Sequence, residues 1–213
     1  MNDLIILGAG GASREIAGAV EDVNVRQQTW KLLGFLDDDP AKVGSEIDGV
    51  RVLGPISSAR EYSAQFVIGI ASARNRSARE RVVEALGIQR DRFATVVHPK
   101  ALLSRYATVG YGSVILQNVI INPDAVIGDH VIVEYGAMIG HDTIIEDFVT
   151  IGPGSIVSGS VRLRRSVFLG TGSMIKDGVT VNQGALIGMG AVVVKEVPLE
   201  TTVIGNPARP IGS

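Results

Sequence analysis

The pair His141-Asp142 is the part of this chain best suited to acid–base chemistry. An imidazole can take a proton from an amine or a hydroxyl near neutral pH, and an adjacent carboxylate can fix its tautomer. The 213 residues include no cysteine, and no serine–histidine pairing is evident. We therefore expect direct attack of a substrate group on an activated acyl group rather than a covalent acyl-enzyme. A solvated surface histidine is the alternative interpretation.

A second candidate is the turn Gly8-Ala9-Gly10-Gly11, which follows an apolar run at residues 3–7. Glycines between a strand and a helix let the backbone approach a phosphate, and the helix N-terminus supplies N–H donors. Asp37 ends the next apolar run and could accept hydrogen bonds from ribose hydroxyls. Ser13 replaces the third glycine of the dinucleotide fingerprint, and the domain is too short for a second half. A mononucleotide or nucleotide-sugar thus fits better than NAD, with a ligand-free turn as the alternative.

A six-residue rhythm predicts how His141 is positioned. From Val109 to Val193 every sixth residue is Val, Ile or Leu, and the residue four further on is always Ser, Thr, Ala or Val. This period fits neither a helix nor a plain strand but is typical of a parallel β-helix with three six-residue sides per coil. It places His141 at a corner and Gly159 one coil later on the same corner, where its N–H could stabilise an oxyanion.

The two remaining histidines are not expected to be catalytic. His98 precedes a proline in the linker and is interpreted as structural, whereas the rhythm puts His130 on a different edge from His141. The two rings cannot share a metal ion within one chain, so we expect no metal. A metal-dependent hydratase with a site between subunits remains open as an alternative.

Residues 1–97 show a different pattern, in which short apolar runs alternate with helical stretches. We predict strands at 3–7, 31–36 and 66–70, and helices at 12–24 and near 75–86. This alternation is typical of a small Rossmann-like parallel sheet. We therefore predict a nucleotide-binding domain at 1–100 and a β-helix domain at 101–213.

Composition restricts the partners and the compartment. The formal net charge of −2 gives no reason to expect nucleic acid or an anionic membrane. The N-terminus does not read as a signal peptide, and no apolar run approaches the length of a membrane span. We expect a cytoplasmic protein.

The order of several motifs resembles a known family. GAGGASREI, FLDDDP, VVHPKA, IGHDTIIEDFVTIGPGSIVSG and GNPARP, together with the hexapeptides, resemble the left-handed β-helix acetyltransferases of the sialic-acid and bacillosamine group. Within that group, the perosamine N-acetyltransferases of O-antigen and lipopolysaccharide biosynthesis are the most similar. The resemblance implies a nucleotide-sugar-binding N-terminal domain, a left-handed β-helix that forms a homotrimer, and acetyl-CoA bound between neighbouring helices.

The resemblance also implies roles for individual residues. His141 would be the general base, with Asp142 and Gly159 completing the catalytic site. The residues expected to bind the nucleotide-sugar are Gly10, Gly11, Ala12, Asp37, Asp38, Arg76 and Glu134, and those expected to contact CoA are Thr150, Gly159, Thr171, Gly188 and Met189.

Two of these positions depart from the family. Bacillosamine-type members have a histidine where this chain has Thr150, so only its backbone is expected to contact CoA. Many relatives have an asparagine in place of Glu134. The carboxylate of Glu134 could bind a sugar amine or hydroxyl, or pair with His141.

The expected function is acetyl-CoA-dependent N-acetylation of a nucleotide-activated amino-deoxy sugar similar to GDP-perosamine. Besides the metal-dependent hydratase, three alternatives remain at this point: O-acetylation of the sialic-acid type, a UDP-linked amino-sugar substrate, and a non-catalytic nucleotide-sugar-binding trimer.

Overall fold

A five-stranded sheet forms the N-terminal part of the chain in the computed structural model, which describes residues 1–211. Its strands are β1 (Asn2–Leu7), β2 (Trp30–Leu36), β3 (Glu46–Ile47), β4 (Val50–Gly54) and β5 (Gln65–Ile68). Their spatial order is β3-β4-β2-β1-β5, and only β3 runs antiparallel to its neighbour. Two α-helices, α1 (Gly11–Arg26) and α2 (Ala78–Leu86), and two 3-10 segments, Ile56–Glu61 and Arg90–Arg92, accompany the sheet.

The predicted strands and helices of this part are observed, with ends displaced by a few residues. The hairpin of β3 and β4 was not predicted. Its turn is Asp48-Gly49, and both residues have positive φ, 50° and 78°. Asp-Gly is a favoured two-residue hairpin turn because aspartate tolerates, and glycine readily adopts, this left-handed backbone. The dipeptide was therefore the signal that could have revealed the hairpin.

Residues 96–210 form a β-helix with three faces, whose strands are parallel except for the last one. Face 1 contains β6 (Val96–Val97), β9 (Val114–Ile115), β12 (Ile132–Val133), β15 (Thr150–Ile151), β18 (Phe168–Leu169), β21 (Leu186–Ile187), β23 (Thr202–Ile204) and β24 (Arg209–Pro210). Face 2 contains β7 (Leu102–Leu103), β10 (Ile120–Ile121), β13 (Met138–Ile139), β16 (Ile156–Val157), β19 (Met174–Ile175) and β22 (Val192–Val193). Face 3 contains β8 (Thr108–Val109), β11 (Val126–Ile127), β14 (Ile144–Ile145), β17 (Arg162–Leu163) and β20 (Thr180–Val181). The chain visits the faces in that order, and we call the corners edge 1–2, edge 2–3 and edge 3–1.

The six-residue rhythm is confirmed as the core of this β-helix. Each of its large aliphatic residues is the second residue of a strand, and all except the partly buried Val109 are at most 2% exposed. The first strand of the β-helix, β6, lies before the predicted domain boundary at residue 100, since it pairs with β9 of face 1. Val97 and Leu103 continue the rhythm backwards from Val109, so the spacing itself contained this information.

Face 1 is covered by the N-terminal sheet and helix. Ile16 and Val20 of α1 share an apolar cluster with Val114 and Ile132 of face 1. This packing fixes the glycine turn that precedes α1 relative to the β-helix. Neither α-helix of residues 1–211 has the length and apolar composition needed to cross a bilayer.

Candidate active site

His141 lies on edge 2–3, separated from the end of β13 (Met138–Ile139) by one glycine. Its Nδ1 is 2.7 Å from Oδ2 of Asp142, and 66% of its side chain is exposed. Asp142 has a left-handed φ of 55°, which turns the chain at this corner. A carboxylate at Nδ1 favours the tautomer with the proton on that nitrogen, so that Nε2 keeps a lone pair for accepting a proton.

Gly159 stacks against His141, as the rhythm predicted. A Cβ atom built on Gly159 would lie 2.7 Å from both Cε1 and Nε2 of the imidazole. Only a residue without a side chain therefore allows the ring to take this position. Among the backbone hydrogen bonds of residues 1–211, none uses the Gly159 N–H as donor. The arrangement supplies a proton acceptor beside an available N–H, which is the pair of groups that acyl transfer requires.

The glycine turn and Asp37 line one cavity of about 370 Å³, together with Asp38, Lys42 and the segment 69–71. Asp37 accepts a hydrogen bond from Ala9 N–H at 2.7 Å and lies 3.2 Å from Nζ of Lys42. Burial opposes the charge of Asp37, but the N–H groups of Asp39 and Ala9 and the Lys42 ammonium outweigh it and hold its pKa below the usual value. The structure thus brings five predicted residues together: Gly10, Gly11, Ala12, Asp37 and Asp38.

A second cavity, of about 430 Å³, adjoins the first and was not predicted. Asp38, Ile56 and Ile70 line both cavities. The remaining wall is formed by Ser57, by the side chains of Arg60 and Arg81, and by the apolar side of α2 at Ala78, Val82, Ala85 and Leu86. The spacing of those apolar residues on α2 was the available signal, although it does not distinguish a cavity wall from ordinary core.

Arg76 is not brought to the glycine turn. Its Nη2 lies 3.2 Å from Oε2 of Glu200, and its Nη1 donates to the carbonyl oxygen of Ala73. It lines a separate cavity of about 160 Å³ that also contacts Ser166 and Gly184 on edge 3–1. The loop after β5 runs towards this edge, and the Glu200 carboxylate attracts the guanidinium there. Within this chain, the expected grouping of Arg76 with the nucleotide residues is therefore not observed.

Glu134 lies on edge 1–2, a different corner from His141. Pairing of these two side chains within one chain is therefore excluded, and Asp142 takes that place instead. Burial and then the negative charge of Glu15 on α1 raise the pKa of Glu134 to about 7, against the opposing effect of Arg79. Glu134 therefore binds a proton more readily than an exposed glutamate does.

Three of the five predicted CoA contacts, Thr171, Gly188 and Met189, share edge 1–2. A Cβ atom built on Gly170 would lie 2.7 Å from the backbone nitrogen of Met189, so consecutive coils stack closely there. Thr171, Gly188 and Met189 follow face 1 strands, and Met189 is 81% exposed. These residues and the His141–Gly159 pair are consequently separated by the width of face 2.

The position of Thr150 in the structure does not support its predicted role at the CoA site. It is 2% exposed on face 1, beneath the N-terminal part of the chain. Its hydroxyl accepts a hydrogen bond from Nη2 of Arg79 at 2.8 Å, and its backbone N–H is bonded to Val167 O. Because Thr150 is buried within this chain, and its N–H and hydroxyl are already engaged there, its position gives no support to the expected CoA contact.

The two other histidines are buried, and neither lies near His141. His98 accepts a hydrogen bond from Lys100 N–H at Nδ1 and lies 2.8 Å from Asp22 through Nε2, which joins α1 to the start of the β-helix. Burial lowers the pKa of His130 to about 4, so its ring, between Phe93 and Phe148, is neutral. Within residues 1–211, no three His, Asp or Glu side chains converge as metal ligands would.

Comparisons with known proteins agree with this architecture. Residues 3–86 match the family model described as the PglD N-terminal domain, and residues 124–159 match that of the bacterial transferase hexapeptide. The acetyltransferase domain of PglB from Neisseria gonorrhoeae FA1090, solved in complex with acetyl coenzyme A, is 31% identical, with 99% of each chain covered and a TM-score of 0.87. The chain belongs to the hexapeptide-repeat sugar acetyltransferases. Its β-helix is accordingly left-handed, as the resemblance implied.

Two further members of this family are similar. Perosamine N-acetyltransferase from Caulobacter crescentus, solved as a histidine-to-asparagine variant with CoA and GDP-perosamine, is 27% identical, with 100% of this chain and 98% of that chain covered and a TM-score of 0.86. The UDP-N-acetylbacillosamine N-acetyltransferase of Bacillus subtilis strain 168 is 33% identical over 120 residues. That match covers 54% of this chain and only about half, 52%, of the curated relative.

Proposed function

We propose that this protein transfers the acetyl group of acetyl-CoA to the amino group of a nucleotide-linked amino-deoxy sugar. The observation that carries the proposal is His141, which is oriented by Asp142 and seated over Gly159 on an exposed edge. The relatives support the substrate class, because their names specify perosamine and N-acetylbacillosamine linked to GDP and UDP. Variants of the Caulobacter enzyme in which a histidine is replaced by asparagine or alanine bind CoA and GDP-perosamine.

In this mechanism His141 is the general base. Acetyl-CoA supplies an acyl group as a thioester, whose carbonyl carbon the sugar amine attacks. Nε2 of His141 takes the proton from the attacking nitrogen, while Asp142 stabilises the imidazolium through Nδ1–H. The Gly159 N–H stabilises the negative charge that develops on the carbonyl oxygen. The carbon–sulfur bond then breaks, and His141 returns its proton to the leaving thiolate.

The two adjoining cavities fit the nucleotide. The N–H groups at the start of α1 face the 370 Å³ cavity, and Gly10, the N-cap of that helix, supplies no side-chain cap. A helix N-terminus of this kind binds phosphate. We infer that the diphosphate lies there, that Asp37 and Asp38 bind the ribose, and that the base enters the 430 Å³ cavity. Either a purine or a pyrimidine is compatible with that volume.

A homotrimer would complete the site. The outward side chains of face 2 form a single apolar column, one residue per coil: Leu102, Ile120, Met138, Ile156, Met174 and Val192. Leu102, Met138 and Met174 are 66%, 38% and 46% exposed. Monomeric soluble proteins rarely expose so regular a strip of apolar side chains. If three copies pack these faces around a threefold axis, edge 2–3 of one copy meets edge 1–2 of its neighbour. His141 would then face the edge that carries Glu134, Thr171 and Met189.

The proposal is tested by measuring CoA thiol release with GDP-linked and UDP-linked amino sugars. The native protein is expected to release thiol only when an amino sugar is present, and the His141→Asn variant much more slowly. Acetyl-CoA without sugar, and the matching sugars with a hydroxyl in place of the amine, are the controls. Equal release with amine and hydroxyl sugars would contradict N-acetylation, and no release with any sugar would contradict acetyl transfer.

A further inference from the structure

One arginine of α2, Arg79, is buried between the N-terminal sheet and the β-helix. It is 3% exposed, and within residues 1–211 no other Arg, Lys, Asp or Glu is buried to this degree. Its guanidinium donates to the carbonyl oxygens of Ile70, His130, Phe148 and Val149 and to the hydroxyl of Thr150. None of these acceptors is a carboxylate, so the contact is not a salt bridge.

The acceptors of Arg79 belong to two separate parts of the molecule. Nη1 lies 2.7 Å from the carbonyl oxygen of Ile70, which lines both cavities of the proposed nucleotide site. Nε and Nη2 lie 3.2 Å and 2.5 Å from the carbonyl oxygens of His130 and Phe148 on edge 3–1. Both residues have left-handed φ values, 55° and 61°, as the corner requires. One planar group thus connects the cavity wall to the β-helix.

Adhesion between the two parts does not require a buried charge. Burial lowers the pKa of Arg79 to about 10, so the group remains charged at neutral pH while surrounded by neutral acceptors. Apolar side chains often stabilise such a position at least as well. What a guanidinium adds is direction, because its donors form a rigid planar fork that fixes several acceptors relative to one another.

We propose that Arg79 is a positioning residue for the nucleotide-sugar, which holds the Ile70 wall of the nucleotide cavities at a fixed place relative to the β-helix. This inference rests on the proposed function. Loss of the fork lets the wall move and leaves the corner carbonyls without their donor. Affinity for the nucleotide should fall, whereas the acetyl-CoA contacts on the distant edges should not change.

The experiment compares Arg79→Met and Arg79→Lys with a matched control, Arg165→Met. Arg165 also joins α2 to edge 3–1, through Glu80 at 2.7 Å and Asp147 at 3.1 Å, but does not bond to Ile70. GDP and UDP binding to each full-length protein is measured by titration calorimetry below the unfolding transition. The KM values for the nucleotide-sugar and for acetyl-CoA are measured separately.

We expect both Arg79 variants to weaken binding of the preferred nucleotide about tenfold and to raise the KM for the nucleotide-sugar by a similar factor. The KM for acetyl-CoA should stay within twofold, and Arg165→Met should lower the Tm without changing nucleotide affinity. If Arg79→Met does not fold, Arg79→Lys, which keeps the charge but not the fork, decides the result.

Unchanged nucleotide affinity in a folded Arg79 variant would overturn the inference and leave only a structural role. An equal loss in Arg165→Met would overturn it as well, since any weakening of the interface would then suffice. If the native protein binds neither GDP nor UDP, the assignment of the two cavities to such a nucleotide fails and this inference fails with it, whereas nucleotide binding that does not depend on Arg79 overturns this inference alone.

Discussion

The missing side chain of Gly159 is what allows His141 to occupy its position, so Gly159→Ala is a direct perturbation of the site. The new methyl carbon would lie 2.7 Å from Cε1 and Nε2 of His141. Unbonded carbon atoms settle at about 3.5–4.0 Å. The ring must therefore move by about 1 Å, and because 66% of the His141 side chain is exposed, it can turn into solvent without straining the fold.

The expected result is a loss of rate without a loss of stability. Misplacing a catalytic group by about 1 Å can cost ~10²-fold in rate, so we expect kcat to fall by about that factor. The free energy of unfolding should change by no more than ~0.5 kcal/mol, and the KM for the nucleotide-sugar should be unchanged. Thiol release and thermal denaturation measure these quantities.

Two comparisons make this prediction refutable. Gly18→Ala is the matched control, because nothing lies within 4 Å of its new methyl group on α1, and it should keep full activity. In a double-mutant cycle, Gly159→Ala should add little to the loss caused by His141→Ala, since both act on the same group. Native kcat in Gly159→Ala, or fully additive losses in the cycle, would refute the assigned role of this contact.

Three further predictions concern the base, the acidic side chain on edge 1–2 and the apolar face. His141→Asn should lower kcat by ~10²-fold or more with little change in Tm, and a native kcat in thiol release would remove its role as base. The pKa of Glu134 is raised to about 7 from an ordinary value of 4.5. Its contribution to the free energy of unfolding is therefore fully present below pH 4.5 and is lost as the pH rises through about 7. As the pH rises from about 5 to about 8, Glu134→Gln should therefore become more stable relative to the native protein. The expected gain is about 1–2 kcal/mol, after the full pKa shift is reduced for solvent screening. Parallel pH profiles of the two proteins in chemical denaturation would contradict this. Met138→Glu on face 2 should reduce the fraction of oligomer and the activity together. Val126→Glu on face 3, where Val126 is 45% exposed, should change neither. Light scattering after gel filtration compares the two variants, and an unchanged oligomer in Met138→Glu would exclude face 2 as the interface.

The sequence was sufficient for the β-helix because each of its coils is specified locally. An inward aliphatic residue at every sixth position is repeated often enough to define the register, and the register alone placed Gly159 against His141. The same arithmetic separates Glu134 from His141, since seven residues exceed one six-residue side and reach the next edge.

Contacts between distant segments could not be predicted in this way. Arg79 belongs to the charged stretch Ala78-Arg79-Glu80-Arg81, in which nothing local distinguishes the buried arginine from the more exposed Arg81. Its acceptors lie 51 to 71 residues further along the chain, apart from the nearby Ile70. The positions of Thr150 and Arg76 could not be predicted for the same reason, since both side chains bind partners supplied by the packing of the two parts.

The most direct test of the account is the identity of the bond formed in the product. The native protein, acetyl-CoA and an amino-sugar nucleotide are incubated, and the acetylated sugar is characterised by NMR spectroscopy and mass spectrometry. The account predicts a single acetyl group attached as an amide to the sugar nitrogen, formed by the native protein and strongly reduced with His141→Asn. An ester to a sugar hydroxyl, or no acetylated sugar from any amino-sugar nucleotide, would contradict it.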